Sequence, residues 1–222
     1  MHKSLTILKI LLALGTVSVF FIILFSSLFS HIYSLGYYES KYRKYNVYDK
    51  FPIEKARNAT LNLFGFFRSA NNLDSSFFNR QEQSHLQDVK SLIEKAQGIY
   101  VVSLFAFWGM IAYIYFFSRR AILWFLSRLL LYSGLFTIVL FLLAGLFYLA
   151  FGFDFAFEGF HKLFFSGNFA FDPDVSNMKS LFPDEFFSDI AGSIIIVTLL
   201  KAALLCGTGY YLLRKINNQP RH

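Results

Sequence analysis

The sequence predicts an all-α integral membrane protein with four transmembrane helices and two extracytoplasmic segments that form a small cap at the outer leaflet. Of its 222 residues, 55% are hydrophobic and only 16% are charged. A soluble domain of this size would leave too much of that apolar surface exposed to water. Four apolar segments are each long enough to cross a bilayer, which takes about 20 residues of helix. We predict spans at about 5–33, 99–117, 121–153 and 190–213, within a single membrane domain of residues 1–222.

The first apolar segment follows Met1-His2-Lys3, a basic start that resembles a signal peptide. Its apolar run is longer than the core of a signal peptide, which has about 7–15 residues, and no small-residue cleavage site follows. We therefore interpret it as an uncleaved anchor.

The distribution of charge predicts the orientation. All 14 acidic residues lie between Glu39 and Asp189, whereas the termini and the Arg119-Arg120 turn between spans two and three carry only basic charge. Basic residues mark the cytoplasmic side of membrane proteins, so both termini are expected in the cytoplasm. Two segments are then extracytoplasmic: a long polar segment of about 34–98 and a short polar segment of about 154–189. The net charge of +7 forms no basic block on a soluble module, which argues against nucleic-acid binding.

The polar segments show local helix and turn signals. In the long one, Leu86, Val89 and Ile93 recur at helical spacing and predict a helix over 84–96 that continues into span two. In the short one, 171–174 reads Phe-Asp-Pro-Asp, a turn signal. The run 182–187, with Pro183 before two acidic residues, predicts the start of the last helix.

Two of the five histidines lie in these polar segments beside other polar groups. His85 has Glu82 and Asp88 one helical turn to either side, and His161 is followed by Asn168 and Asp172. One interpretation is that each is an ordinary side chain at the membrane interface. The other is that both converge at the outer surface, where imidazole can take and return a proton at neutral pH.

The sequence offers few other candidates for a nucleophile, a metal ligand or a functional charge. Cys206 is the single cysteine, so neither a disulfide within the chain nor a cysteine metal cluster can form, and we interpret it as a packing residue. Ser84 and Ser166 lie near the histidines in sequence, but no serine has the spacing of a nucleophile elbow. Arg128 and Lys201 lie within spans, where they either snorkel or contact a lipid carbonyl or a polar partner.

Two blocks of sequence resemble a known family. One covers 78–90 and contains Glu82, His85, Leu86 and Asp88-Val89-Lys90. The other covers 160–187 and reads, with its gaps, Phe160-His161, Phe164-Phe165, Asn168, Asp172-Pro173, Leu181-Phe182-Pro183 and Phe186-Phe187. In order and placement they are similar to the lipoprotein intramolecular transacylases (Lit), four-span membrane proteins of low-GC Gram-positive bacteria.

The resemblance implies a reaction on diacylglyceryl-modified lipoproteins in the bacterial cell membrane. An acyl chain moves from the sn-2 oxygen of the S-diacylglyceryl cysteine to the cysteine α-amine, giving the lyso-form lipoprotein. His85 and His161 are then the expected catalytic pair, without an acyl-enzyme, a cofactor or a metal. Glu82, Asp88, Asn168 and Asp172 are expected to orient them or to bind the head group, and membrane lipids surround the site.

Two alternatives remain at this point. A non-enzymatic four-helix membrane subunit would use its polar segments to bind a partner protein. A metal-dependent membrane hydrolase would hold zinc between histidines and carboxylates, although no spaced metal motif such as HExxH occurs in the chain.

Overall fold

The structure is a computed structural model that describes residues 2–117, 119–165, 171–172 and 174–218. The described part of the chain is helical and contains no strand. The helices are α1 (His2–Ile32), α2 (Leu35–Lys44), α3 (Ile53–Phe67), α4 (Arg80–Phe117), α5 (Ile122–Phe164), α6 (Asn177–Leu181) and α7 (Asp184–Asn217), with short 3-10 turns at Val47–Asp49 and Arg119–Ala121.

Within the described residues, four helices are long and apolar enough to cross a membrane, as the sequence predicts. The candidate spans are Thr6–Ile32, Arg80–Phe117, Ile122–Gly152 and Asp184–Asn217. At 38 residues, α4 has a length of about 57 Å, nearly twice the hydrocarbon core. Its first 16 residues include six charged ones, so the part that suits the hydrocarbon begins near residue 99. The predicted helix over 84–96 and its continuation into span two are both confirmed.

The helix that contains the third span continues beyond the span. Helix α5 extends to Phe164, with non-helical backbone angles at Gly152 (φ 81°, ψ 174°). Only glycine adopts that region readily, so Gly152 divides α5 into a long apolar helix and a short one that contains His161 and ends at Phe164.

The chain forms two compact units. The first contains Met1–Ser27, Gln97–Phe147 and Ile195–His222. In it, a side chain at Gly134 would place its Cβ 2.5 Å from the carbonyl oxygen of Ala202, and one at Gly209 would place its Cβ 2.5 Å from the amide nitrogen of Leu131. Glycine at these two positions therefore permits α5 and α7 to pack with their backbones close together.

The second unit contains Leu28–Ala96 and Tyr148–Ile194, and so includes most of both polar segments. They share one aromatic-rich core, because Tyr38, Tyr42 and Phe64 of the long segment pack with Phe182 and Phe186 of the short one. Ring centroids in this group are 5.0–6.2 Å apart, which is the range of favourable aromatic contacts.

Local signals in the short segment also appear in the structure. The Asp172 carboxylate accepts the amide N–H of Asp174 at 3.0 Å, and its carbonyl accepts the amide N–H of Ser176 at 2.9 Å. This is the turn expected at 171–174, of which residue 173 lies outside the described residues. Helix α7 begins at Asp184 with two acidic residues in its first turn, as predicted.

Candidate active site

The two histidines singled out from the sequence lie side by side in the second unit. The ring centroids of His85 and His161 are 6.0 Å apart and the ring planes differ by 14°. His85 lies in the second turn of α4, and His161 lies in the last turn of α5. The packing of the long and short polar segments thus brings together two imidazoles that are 76 positions apart in the chain.

Aromatic rings enclose the histidine pair. The Phe165 ring contacts both imidazoles, with centroid distances of 4.9 Å to His85 and 5.3 Å to His161. Phe171 lies 5.4 Å from His85, and Phe157 lies 4.1 Å from His161. His161 is buried, with 8% of its surface exposed, and His85 is half-buried. The pair therefore lies in an apolar setting that contacts solvent through His85.

A backbone carbonyl determines the tautomer of His161. The Nδ1 atom lies 2.8 Å from the carbonyl oxygen of Phe157, one helical turn earlier. A carbonyl only accepts hydrogen bonds, so Nδ1 must donate. In the neutral ring the lone pair is then on Nε2, and this nitrogen can accept a proton.

The surroundings of His85 favour its neutral form. Burial lowers the pKa of His85, the positive charge of His161 lowers it further, and the carboxylate of Asp88 opposes both effects. The net shift of the His85 pKa is downward, which favours the neutral imidazole. No hydrogen bond is made by its imidazole within the part of the chain that the structure describes.

Glu82 binds neighbouring backbone and a serine rather than an imidazole. Its fully buried carboxylate accepts the amide N–H of Asn79 at 2.7 Å, the hydroxyl of Ser176 at 2.5 Å and the amide N–H of Met178 at 2.8 Å. The Asn79 side chain accepts the amide N–H of Glu82 at 3.0 Å in return, which makes a capping box at the start of α4. Glu82 thus ties α4 to α6, one turn before His85.

The other predicted site residues lie in different settings. Asp88 is half-buried and acts on His85 through its charge. Asp172 is exposed and follows Phe171, which contacts His85. Asn168 lies outside the described residues.

Sequence reasoning missed several groups around the pair: Ser176, Phe157, Phe165 and Phe171. A signal existed for Phe157, because it precedes His161 by four residues and therefore places its carbonyl next to that side chain on a helix. Ser176 is 94 positions from Glu82, and nothing in the local sequence indicates that contact.

The arrangement suits proton transfer at an apolar surface. It offers two imidazoles, one with an assigned tautomer, and a carboxylate nearby. No group of three His, Cys, Asp or Glu side chains is placed to hold a metal ion among the described residues. The Cys206 thiol donates weakly to the Leu131 carbonyl at 3.7 Å, in the first unit, where it packs against α5.

Comparison with known proteins identifies relatives. A family model described as lipoprotein intramolecular transacylase Lit matches residues 13–187. The solved structure of the membrane integral lipoprotein intramolecular transacylase Lit from Bacillus cereus has a TM-score of 0.80 at 20% identity, covering 96% of this chain and 99% of that chain. A variant of that protein with a histidine replaced by alanine has a TM-score of 0.79 at 20% identity, covering 98% of this chain and 99% of that chain. No curated protein sequence matches.

Proposed function

Because the chain belongs to the lipoprotein intramolecular transacylase (Lit) family, whose model matches residues 13–187, we propose that it moves an acyl chain within a lipoprotein. The substrate is an N-terminal cysteine that carries an S-diacylglyceryl group. The chain moves from the glycerol sn-2 oxygen to the cysteine α-amine, and the product is the lyso-form lipoprotein. The observation that carries this proposal is the pairing of His85 with His161 at a centroid distance of 6.0 Å.

The proposed reaction needs two proton movements. The α-amine, with an ordinary pKa near 8, reacts in its neutral form. Its nitrogen attacks the sn-2 ester carbonyl, a C–N bond forms and the C–O bond to glycerol breaks. The nitrogen loses one proton, and the glycerol oxygen gains one. The histidine pair transfers that proton, so the enzyme is unchanged after each turnover.

The hydrogen bond at Nδ1 supports His161 as the first proton acceptor. With Nδ1 donating to the Phe157 carbonyl, the neutral ring accepts at Nε2. Transient charge on His161 then lowers the proton affinity of neighbouring His85, because two positive charges at this separation repel each other. His85 therefore does not take the proton from His161, and the departing glycerol oxygen receives it.

Orientation accounts for the remainder of the proposed catalysis. Amine and ester belong to one substrate, so the enzyme has only to fold the head group into an attack geometry, which is worth up to about 7–11 kcal/mol. No acyl-enzyme is required. The phenylalanines around the pair provide apolar contact for the acyl chains near the ester.

Polar neighbours complete the proposed site. Asp88 and Asp172 are proposed to bind the α-amine or the head group, and Asn168, outside the described residues, is proposed to assist. Glu82 acts through position, because its carboxylate holds the α4 start against α6. With both termini in the cytoplasm, the pair faces the extracytoplasmic side of a bacterial cell membrane.

The proposal is tested by tandem mass spectrometry of a reporter lipoprotein. The host makes only the diacylglyceryl form and expresses the native protein, His85→Ala or His31→Ala. His31 is a matched control, since it packs near the end of α1 against Tyr37 and takes no part in the pair. Transfer within one molecule leaves the total mass unchanged, so fragment ions must locate the chain.

We expect an N-acyl fragment with the native protein and with His31→Ala, and none with His85→Ala. An N-acyl fragment from all three would refute the role of His85. A free amine with both chains on glycerol in every case, with expression verified, would refute the transacylase and favour a partner-binding subunit.

A further inference from the structure

A lysine lies within the apolar run of the last helix and contacts the first helix through two serines. In the first unit, Nζ of Lys201 donates to Oγ of Ser26 at 2.8 Å and to Oγ of Ser27 at 2.9 Å. Ser27 is fully buried, and Lys201 is half-buried. The proposed reaction makes no use of this cluster.

The hydrogen-bond directions make Lys201 the donor to both serines. Both serine hydroxyls donate to the carbonyl oxygen of Ile23, at 3.0 Å from Ser26 and 2.8 Å from Ser27. Their lone pairs therefore remain to accept from Lys201, which carries three N–H donors when it is charged. Two of these donors are used by the serines.

Among the residues that the structure describes, Lys201 has no counter-charge and two hydrogen-bond acceptors. None of the four apolar segments contains an Asp or a Glu, and no carboxylate pairs with Lys201 in the part of the chain that the structure describes. An ammonium in a hydrocarbon environment is costly unless oxygen atoms surround it. The third N–H is consequently available to an oxygen that comes from outside the protein.

The position of the lysine–serine cluster across the bilayer indicates which oxygen accepts the third N–H. Ser27 lies 21 residues after Thr6, where the apolar helix begins, and this corresponds to a rise of about 31 Å. The hydrocarbon core is about 30 Å thick. With the proposed topology, the serines lie at its outer boundary. Helical side chains point toward the N-terminus, so the Lys201 ammonium points to the same boundary, where the ester carbonyls of glycerolipids lie.

We propose that Lys201, Ser26 and Ser27 form a binding site for an ester carbonyl of a diacylglyceryl lipid in the outer leaflet. The ammonium donates its third N–H to the carbonyl oxygen, while the serines hold the ammonium in place. The lipid is either the lipoprotein substrate or a membrane phospholipid, since both carry this ester. The depth argument rests on the proposed topology, but the site itself does not depend on the catalytic role of the histidines.

Native mass spectrometry of the whole protein in detergent tests this site with two pairs of probes. The first pair is a diacyl phosphatidylglycerol and its dialkyl ether analogue, which lacks the carbonyls. The second pair is a synthetic S-diacylglyceryl lipopeptide, N-acetylated so that it cannot react, and its dialkyl analogue. Lys201→Met removes the ammonium at similar length. Lys9→Met is the control, because Lys9 is the other lysine in an apolar segment and takes no part in the cluster.

We expect the native protein and Lys9→Met to bind an ester probe about tenfold more tightly than its ether analogue, a ratio that corresponds to about 1.4 kcal/mol. Lys201→Met should bind ester and ether equally, and Ser26→Ala/Ser27→Ala should reduce the ratio. A preference for the ester over the ether supports the site, whether it is seen with both pairs of probes or with one. The pair that shows the preference identifies the lipid as a phospholipid or the lipoprotein substrate. Equal binding of ester and ether by the native protein, or an unchanged ratio in Lys201→Met, overturns it. His85→Ala should retain the ratio, so a failure of the histidine mechanism is distinguishable from a failure of this site.

Discussion

Replacement of Glu82 by glutamine tests whether a buried carboxylate joins the two polar segments. The carboxylate accepts three hydrogen bonds, from the amide of Asn79, the hydroxyl of Ser176 and the amide of Met178, at 2.5–2.8 Å. A glutamine side chain has one acceptor oxygen and one donor group. At least one buried donor therefore loses its acceptor, at a cost of about 1–3 kcal/mol.

Hydrogen exchange at the amides of Asn79 and Met178 measures this cost. Asn79 donates to Oε2 and Met178 donates to Oε1, and glutamine can replace only one of these oxygens. A local opening free energy reduced by that amount raises the exchange rate by about 5- to 150-fold. Glu94→Gln is the matched control, since Glu94 is exposed on the same helix. Faster exchange is expected only in Glu82→Gln. Equal exchange of both amides in the two variants would refute the assignment of this carboxylate as the acceptor that links α4 and α6.

Two further perturbations follow from the geometry. The NMR titration midpoint of His85 should lie below about 6.5, its ordinary pKa. His161→Gln should raise this midpoint by removing a positive neighbour, and Asp88→Asn should lower it by removing a negative one. A native midpoint at or above the ordinary value would contradict the effect of burial. Gly152→Ala forces alanine to a φ of 81° and should reduce the free energy of unfolding by about 1–3 kcal/mol. Gly159 is helical, and a Cβ there would meet nothing within 4 Å. Gly159→Ala should therefore raise the free energy of unfolding by about 0.5–1 kcal/mol. Equal effects of the two glycine variants in chemical unfolding would contradict the strain at Gly152.

The spans and the histidine pair were accessible from sequence for different reasons. A long apolar run predicts a membrane-spanning helix, because no water is present inside the bilayer and the backbone must form its hydrogen bonds within the segment. The pair required a further assumption, that the two polar segments pack together. The structure confirms this packing through a shared aromatic core that includes Tyr38 and Phe186, although no local pattern specifies a 6.0 Å approach of two rings.

Glu82 shows how a correctly predicted helix leaves the contacts of a side chain open. It lies one helical turn before His85, and the family resemblance implies that it orients a histidine or binds the head group. The structure begins α4 at Arg80, which makes Asn79 and Glu82 a capping box. That signature was present in the sequence. The long-range contact to Ser176 was not, because it depends on tertiary packing across the aromatic core.

The most direct test of the central claim uses purified protein and a lipopeptide with a deuterated acyl chain at sn-2 only. The account predicts that the deuterated chain appears on the cysteine amine, that the lipopeptide mass is unchanged, and that the intact protein never gains an acyl mass. Mixing with an unlabelled lipopeptide of different sequence should give no exchange of chains. An amide-linked chain from sn-1, exchange between the two peptides, or equal product from His85→Ala would contradict an intramolecular transfer promoted by the histidine pair.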